Sequence, residues 1–450
     1  MRPSGQLVSC VSVALLISAG TLAGSLGPAA AAGETCHGLA PTVIGTPGTD
    51  LNATEGPDVV LTNGAINVYA GAGDDLVCVT GGAGLGDQDV MEILAEDGDD
   101  VVDGTTVESE RLFVDLGQGN DTFTGGPEAD GVVANAAFDG SSPAARTAGN
   151  DTVSTGAGDD NISTGGAPGV ADQDTIDLGP GRDVAGIDGS VDPALPIQGG
   201  EGSDELEFDR SSLSNALVID NTLQRATDAQ VPVLTWSGFE RFRLSPIGRY
   251  EPPSFLGGPG AERLLGYIPL TAVDLGGGDD LVNLELQHRL VDHASYAGGT
   301  GDDDFILYAG AGDAARHVRL DLPRGKLYFQ REKEAVRARI GGFERHRFSA
   351  DRIEFRGTAA ADHVEWQGCH GVIDGGRGDD LIEAFSLPDV GCGYPVNHAD
   401  LVVRGGGGDD TLVGSGDPNV LVGGAGDDRA DGRGGNRDRC VAEKERHCER

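Results

Sequence analysis

From Gly45 to Asp438 the chain repeats one arrangement: a cluster of glycines, an acidic or amide residue, then a short apolar segment. AGAGDDLVC at 70–78, LGQGNDTFT at 116–124, TGAGDDNIS at 155–163, LGGGDDLVN at 275–283 and GGRGDDLIE at 375–383 are clear copies. The apolar part is about three residues long, which fits a very short strand with one side buried. No stretch after residue 32 carries the 3.6-residue apolar period of an amphipathic helix. Glycine allows the tight turn, and Asp or Asn bonds to nearby backbone within it. The pattern therefore predicts short strands joined by Gly/Asp turns, with Val77, Phe123, Ile162, Val282, Ile382 and Leu412 pointing inward. A single coil cannot bury such a residue, so coils must stack and share one narrow apolar column.

The acids at the sixth place of the block are Asp50, Asp75, Asp100, Asp121, Asp130, Asp160, Asp183, Asp204, Asp280, Asp303, Asp362, Asp380, Asp410 and Asp428. Their spacings, mostly nine, 18 or 21 to 25 residues, make one coil equal to two blocks, with extra residues bulging as loops. Four blocks run in tandem from Gly405: GGGGDDTLV, GSGDPNVLV, GGAGDDRAD and GRGGNRDRC. Residues 208–255 and 307–356 break the pattern, with fewer glycines and more arginine. They share an echo, SGFERFRL at 237–244 and GGFERHRF at 341–348. This predicts two related longer coils, with Phe239 and Phe343 in the core and Glu240 and Glu344 capping or pairing locally. Pro-containing stretches at 245–253 and 386–396 read as loops.

Composition agrees with this reading. The chain has 450 residues, 74 of them Gly, only 5% aromatic residues and a formal charge of -41. Such bias often means disorder, but here it is periodic, which signals a repeat architecture. The negative charge disfavours nucleic acid as a partner. Residues 1–32 read as a secretion signal: Arg2, an apolar run from about Leu7 to Leu26, and an A-x-A pattern before Gly33. Cys10 lies within it. Cys36, Cys78, Cys369, Cys392, Cys440 and Cys448 remain, an even number that suits disulfides in an exported chain. Neighbour pairing (36–78, 369–392 and 440–448) is preferred, and the last would close the end of the stack.

The blocks resemble the RTX, or haemolysin-type, calcium-binding repeat G-G-x-G-x-D-x-U-x, with U a large apolar residue. That resemblance implies an all-β fold, a right-handed parallel β-helix or β-roll solenoid built from Gly/Asp-rich nonapeptide repeats. It also implies several Ca2+ ions between same-side turns, held by Asp carboxylates and turn carbonyls. Carried onto this chain, the strongest pair is Asp410 with Asp428, 18 apart, completed by carbonyls of Gly406, Gly408, Gly424 and Gly426. Asp362 and Asp380 have the same spacing, although GTAAAD at 357–362 lacks two glycines. Asp75, Asp100, Asp121, Asp160, Asp204, Asp280 and Asp303 complete the expected metal ligands. On the other side of the tandem array Asn419 replaces Asp and Arg437 holds the sixth place, so Asn436 or Asp438 would have to substitute by a register shift. Glu262 stands 18 before Asp280 as a doubtful ligand.

These features predict a signal at 1–32 and one elongated unit at 33–450. Within it, N-terminal repeats fill 33–207, degenerate longer coils with a middle cluster 208–356, RTX-like repeats 357–438, and a disulfide-capped tail 439–450. The expected function is that of a secreted, monomeric, non-catalytic calcium binder that folds or stiffens in extracellular calcium, with no membrane insertion. Extracellular polysaccharide or the cell envelope would be its partner. The alternatives are a calcium-dependent polysaccharide lyase, with candidates His288, Arg289, His293, Tyr296 and His363, or an adhesive spacer at the cell surface. No toxin, protease or lipase motif precedes the repeats.

Overall fold

Each Gly/Asp turn is followed by a short strand, and successive strands fall alternately on two faces. The computed structural model describes residues 34–81, 90–106, 110–134, 149–166, 171–208, 217–245, 252–285, 290–308, 316–331, 334–385, 400–416, 418–434 and 438–449. The expected signal, His288, Arg289, Cys392, Asn436, Arg437 and most of both proline-containing loops lie outside these residues. Among them the fold is all β, a parallel solenoid with no α-helix and one 3-10 turn at Leu322–Arg324.

Face A begins with Val43–Ile44, Val59–Leu61, Leu76–Cys78 and Val101–Asp103. Face B interleaves Leu51–Asn52, Asn67–Tyr69 and Val90–Leu94. Parallel pairing links each strand to the same face of the next coil, from Leu51↔Val68 to Ala430↔Glu445 on face B. The middle residue of most three-residue strands is buried, so Val60, Val77, Val102 and Phe123 line one side of the column. Val68, Ile93, Val132 and Ile162 line the other. One continuous cluster runs from Leu51 to Ala430. Residues Thr35–Arg450 pack as one compact unit.

Among the described residues face A has 22 strands and face B 18. The four extra strands belong to two antiparallel meanders in the two Arg-rich segments. The first is Val218–Asp220, Arg225–Asp228 and Val231–Ser237. The second is Arg316–Asp321, Lys326–Arg331 and Glu334–Gly341. Each inserts two strands into face A while face B continues without a gap. The widened section is filled with aromatic side chains. Trp236, Phe242 and Phe255 pack with centroids 5.7 and 5.1 Å apart, and Phe305 lies 5.8 Å from Tyr296 and 5.2 Å from Phe343. The expected longer coils are these meanders, and Phe239 and Phe343 are buried as expected.

Both ends are tied down. Cys36–Cys78 pins the N-terminal segment over the outside of face A, where it covers Leu61. Cys440–Cys448 joins the last face A strand to the tail. These are two of the three expected bridges.

Candidate metal-binding turn ladders

The acids that precede the strands form two columns inside the turns. In the column leading to face A, the Asp58, Asp75, Asp100, Asp121 and Asp151 N–H groups donate to Oδ1 of Asp75, Asp100, Asp121, Asp151 and Asp174. In the column leading to face B, Asp130, Asp160 and Asp183 donate to Asp160, Asp183 and Asp204 at 2.7–2.9 Å. It resumes with Glu262, Asp280 and the run Asp362, Asp380, Asp410 and Asp428. Where a meander intervenes, Glu240 and Glu344 reach back to the Asp204 and Asp303 N–H groups with the longer side chain. They cap the ladder, and Glu443 does the same for Asp428 at the end of the stack.

A second ladder runs beside the first with opposite sense. The fifth-position N–H of each coil donates to the acid of the preceding coil: Asp99 to Asp74, Asn120 to Asp99, Asp409 to Asp379 and Asp427 to Asp409. These side chains are exposed. The doublet in G-D-D marks them in sequence, yet sequence reasoning followed only the sixth position.

The inner carboxylates use one oxygen and leave the other bare. Asp410 is 1% and Asp428 0% exposed, and Oδ2 of each has no hydrogen-bond partner among the described residues. The same holds for Asp75, Asp100, Asp121, Asp160, Asp183, Asp204, Asp280, Asp303, Asp380 and Asp438, and for Oε2 of Glu262. A buried polar atom without a partner costs about 1–3 kcal/mol, more when charged. Strands stack about 4.8 Å apart, so two ionised neighbours would repel by roughly 3–4 kcal/mol at an effective dielectric of 20. Burial accordingly pushes Asp75 up to about 6 and Asp100, Asp121, Asp183, Asp280 and Asp380 up to about 7, against the lowering effect of the ladder bond. Neighbouring acids add to the rise.

Three arrangements satisfy such an oxygen: a proton, a protein donor or a cation. The protein-donor solution occurs in some coils: Thr164 donates its hydroxyl to Oδ2 of Asp174 at 2.6 Å, and Gly126 its N–H to Oδ2 of Asp130 at 3.4 Å. Thr358 donates its N–H and hydroxyl to Oδ2 of Asp362, and Thr54 does the same for Asp58. Asp362, expected as a ligand, thus has its second oxygen engaged. Threonine stands there at the second place of the block, where most copies have glycine. For the bare oxygens named above no described protein group substitutes. Oδ2 of Asp410 lies against the first glycine of its own block, so close that a Cβ on Gly405 would sit 2.1 Å away.

The turn carbonyls expected as ligands point along the stack. A Cβ on Gly424 would meet the Gly406 carbonyl at 2.1 Å, and one on Gly426 the Gly408 carbonyl at 2.0 Å. The Gly276 carbonyl, equivalent to Gly406, accepts from Thr300 N–H at 3.0 Å, so second-position carbonyls retain one lone pair. The donor set is therefore all oxygen: carboxylates at two depths and carbonyls. That chemistry suits a hard cation and offers no sulfur or imidazole.

The register shift considered for the tandem array occurs: Asn419 N–H donates to Asp438 Oδ1 at 2.8 Å across 19 residues. Asp151 and Asp174 were not anticipated, because insertions break their blocks, although G-N-D-T at 149–152 repeats G-N-D-T at 119–122. Asp183, a sixth-place acid outside the expected ligand set, occupies the ladder on equal terms.

The described lyase candidates stand apart. Tyr296 is a core residue, His293 lies beside face A, and His363 is on the outside of face B. His363 neighbours Glu365 and Glu383, but Arg347 binds Glu365 at 2.6 Å and Arg433 lies 3.5 Å from Glu383. No protein-family model matches the chain, and no curated protein matches it either.

Proposed function

We propose that the chain is an extracellular calcium-binding solenoid of the RTX-like type, non-catalytic, in which several Ca2+ ions complete folding after export. The observation that carries this reading is the column of buried, singly bonded Asp carboxylates. A divalent cation would engage the bare oxygens and relieve the repulsion along each column. Asp410 with Asp428, on uninterrupted blocks, would hold the best-formed site. The exposed fifth-position acids and turn carbonyls could fill the rest of a shell of ~6–8 oxygens. Extracellular modules bind at ~10⁻⁴–10⁻³ M, in line with calcium outside cells. The two disulfides fit that compartment, and no helix among the described residues is long and apolar enough to cross a membrane. A cation bound only by the folded form would stabilise it by mass action, which favours a folding role.

The test is to strip metal from the full chain and follow circular dichroism and melting while calcium is added, counting bound ions by native mass spectrometry. Calcium is expected to raise the melting temperature and to bind in several equivalents. Asp410→Asn should lower the count, and Asp362→Asn should not. Unchanged spectra and melting across millimolar calcium would overturn the reading.

A further inference from the structure

The second meander carries a cluster of cations on an acidic chain. Its outward side chains, with those of the flanking strands Ser295–Ala297 and Arg352–Arg356, line a groove of about 940 Å³. The lining holds five cations, Arg319, Arg324, Lys326, Arg337 and Arg339, against two acids, in a chain whose net charge is -41. The strand register orders them. Arg337, Tyr328 and Arg319 stand side by side across three strands, and Arg339, Lys326 and Asp321 form the next row. Adjacent members of a row are about 4.8 Å apart at the backbone.

Local pairing accounts for only part of this charge. Arg324 holds Asp321 at 2.6 Å, and Arg319 and Arg352 share Glu354 at 3.8 and 3.2 Å. Lys326, Arg337 and Arg339 form no ion pair among the described residues. The nearby Asp292 accepts from the Arg337 backbone N–H instead. Nor does the fold require the cations. The first meander has the same topology, and its second and third strands carry Arg225 as their single cation. The second meander is also longer, with strands of six, six and eight residues against three, four and seven.

We propose that this groove binds a segment of a linear acidic polysaccharide bearing uronate carboxylates. Guanidinium forks match planar carboxylates bidentately. Tyr328 stands between Arg319 and Arg337 in the strand register, its ring meets His317 edge-on at 5.8 Å and its hydroxyl donates to Gln330, and it lines the groove with Ser295, which offers a hydroxyl to a sugar. The volume lies within the range of ligand sites, about 300–1,000 Å³. A nucleic acid fits less well. Duplex DNA carries a charge every ~1.7 Å, and that density would meet the acidic surface around a short cationic strip. Single strands need a series of aromatic platforms, and the groove has one tyrosine.

The test is calorimetric titration of the full chain at constant millimolar calcium. The probes are a short oligogalacturonate, its methyl-esterified form and an oligothymidylate of matched charge. Saturable binding of the oligogalacturonate is expected, weakened at least tenfold by salt, by esterification and by the double substitution Lys326→Glu with Arg339→Glu. Tyr328→Ala should weaken it without changing charge, and Arg225→Glu on the first meander should leave it unchanged. Melting temperatures equal to that of the parent would show that the variants are folded. No saturable binding, undiminished binding by the folded double variant, equal binding of the ester, or tighter binding of the oligothymidylate would each overturn the proposal. Because calcium is held constant, this outcome is independent of whether calcium drives folding.

Discussion

His346 breaks the rule that the inner column is apolar. It pairs in register with Phe305 below and Val364 above, and its counterpart in the earlier echo is Phe242. It is 2% exposed, Nδ1 has no hydrogen-bond partner, and its ring packs 5.8 Å from Phe355. Burial pushes it down to about 3. The unfolded chain takes up this proton near pH 6.5 and the folded chain only near 3, so the residue costs nothing above pH 6.5 and destabilises progressively below it. At pH 4 the cost is roughly 2–4 kcal/mol. His346→Phe should therefore match the parent within about 1 kcal/mol at pH 8 and exceed it at pH 4, read by denaturant unfolding. A constant difference between the two proteins from pH 8 to 4 would refute the neutral, buried histidine.

The element that repeats is a turn held by its own backbone and by acids from neighbouring coils. Glycine is demanded in it by two independent constraints, seen most plainly at Gly424. Its φ of 128° is rarely adopted by other residues, and an added Cβ would collide with the Gly406 carbonyl. Gly416 sits in the preceding block with open space around its Cβ direction. Gly424→Ala should cost ~2–4 kcal/mol through strain and separation of the coils, whereas Gly416→Ala should change stability by less than about 0.5 kcal/mol. Equal melting temperatures for the two variants would show that the turns do not stack as described. The meanders follow a different rule. Two extra strands on one face need a wider filling, so the few aromatic residues gather there, and the arginines of face B pair with nearby acids. Arg241 with Glu205 at 2.8 Å and Arg347 with Glu365 are examples.

Across the whole molecule the inner acids couple protons to stability. In metal-free protein, folding holds carboxyls such as Asp100, Asp121 and Asp380 protonated up to about pH 7, while the unfolded chain releases those protons near 3.8. Their contribution is complete at and below about pH 4 and is lost as pH rises through 7. Melting of the metal-free chain should therefore fall between pH 5 and 8, and millimolar calcium should abolish that fall by replacing the proton. A metal-free protein as stable at pH 8 as at pH 5 would contradict both the burial and the calcium reading. The sequence by itself determined the short strands, the two-block coil, the inward apolar residues and most of the acids that enter the columns, because each follows from local turn chemistry repeated at fixed spacing. It also marked the two longer coils through the F-E-R echo, whose glutamates prove to cap the columns. Only the tertiary structure decided which oxygen of each carboxylate stays bare, that threonine satisfies Asp58 and Asp362, that Asp438 enters by a one-residue shift, and that the arginines and Lys326 of the second meander share one groove. Those facts depend on which coil lies above which, and insertions of variable length hide that register from any reading along the chain.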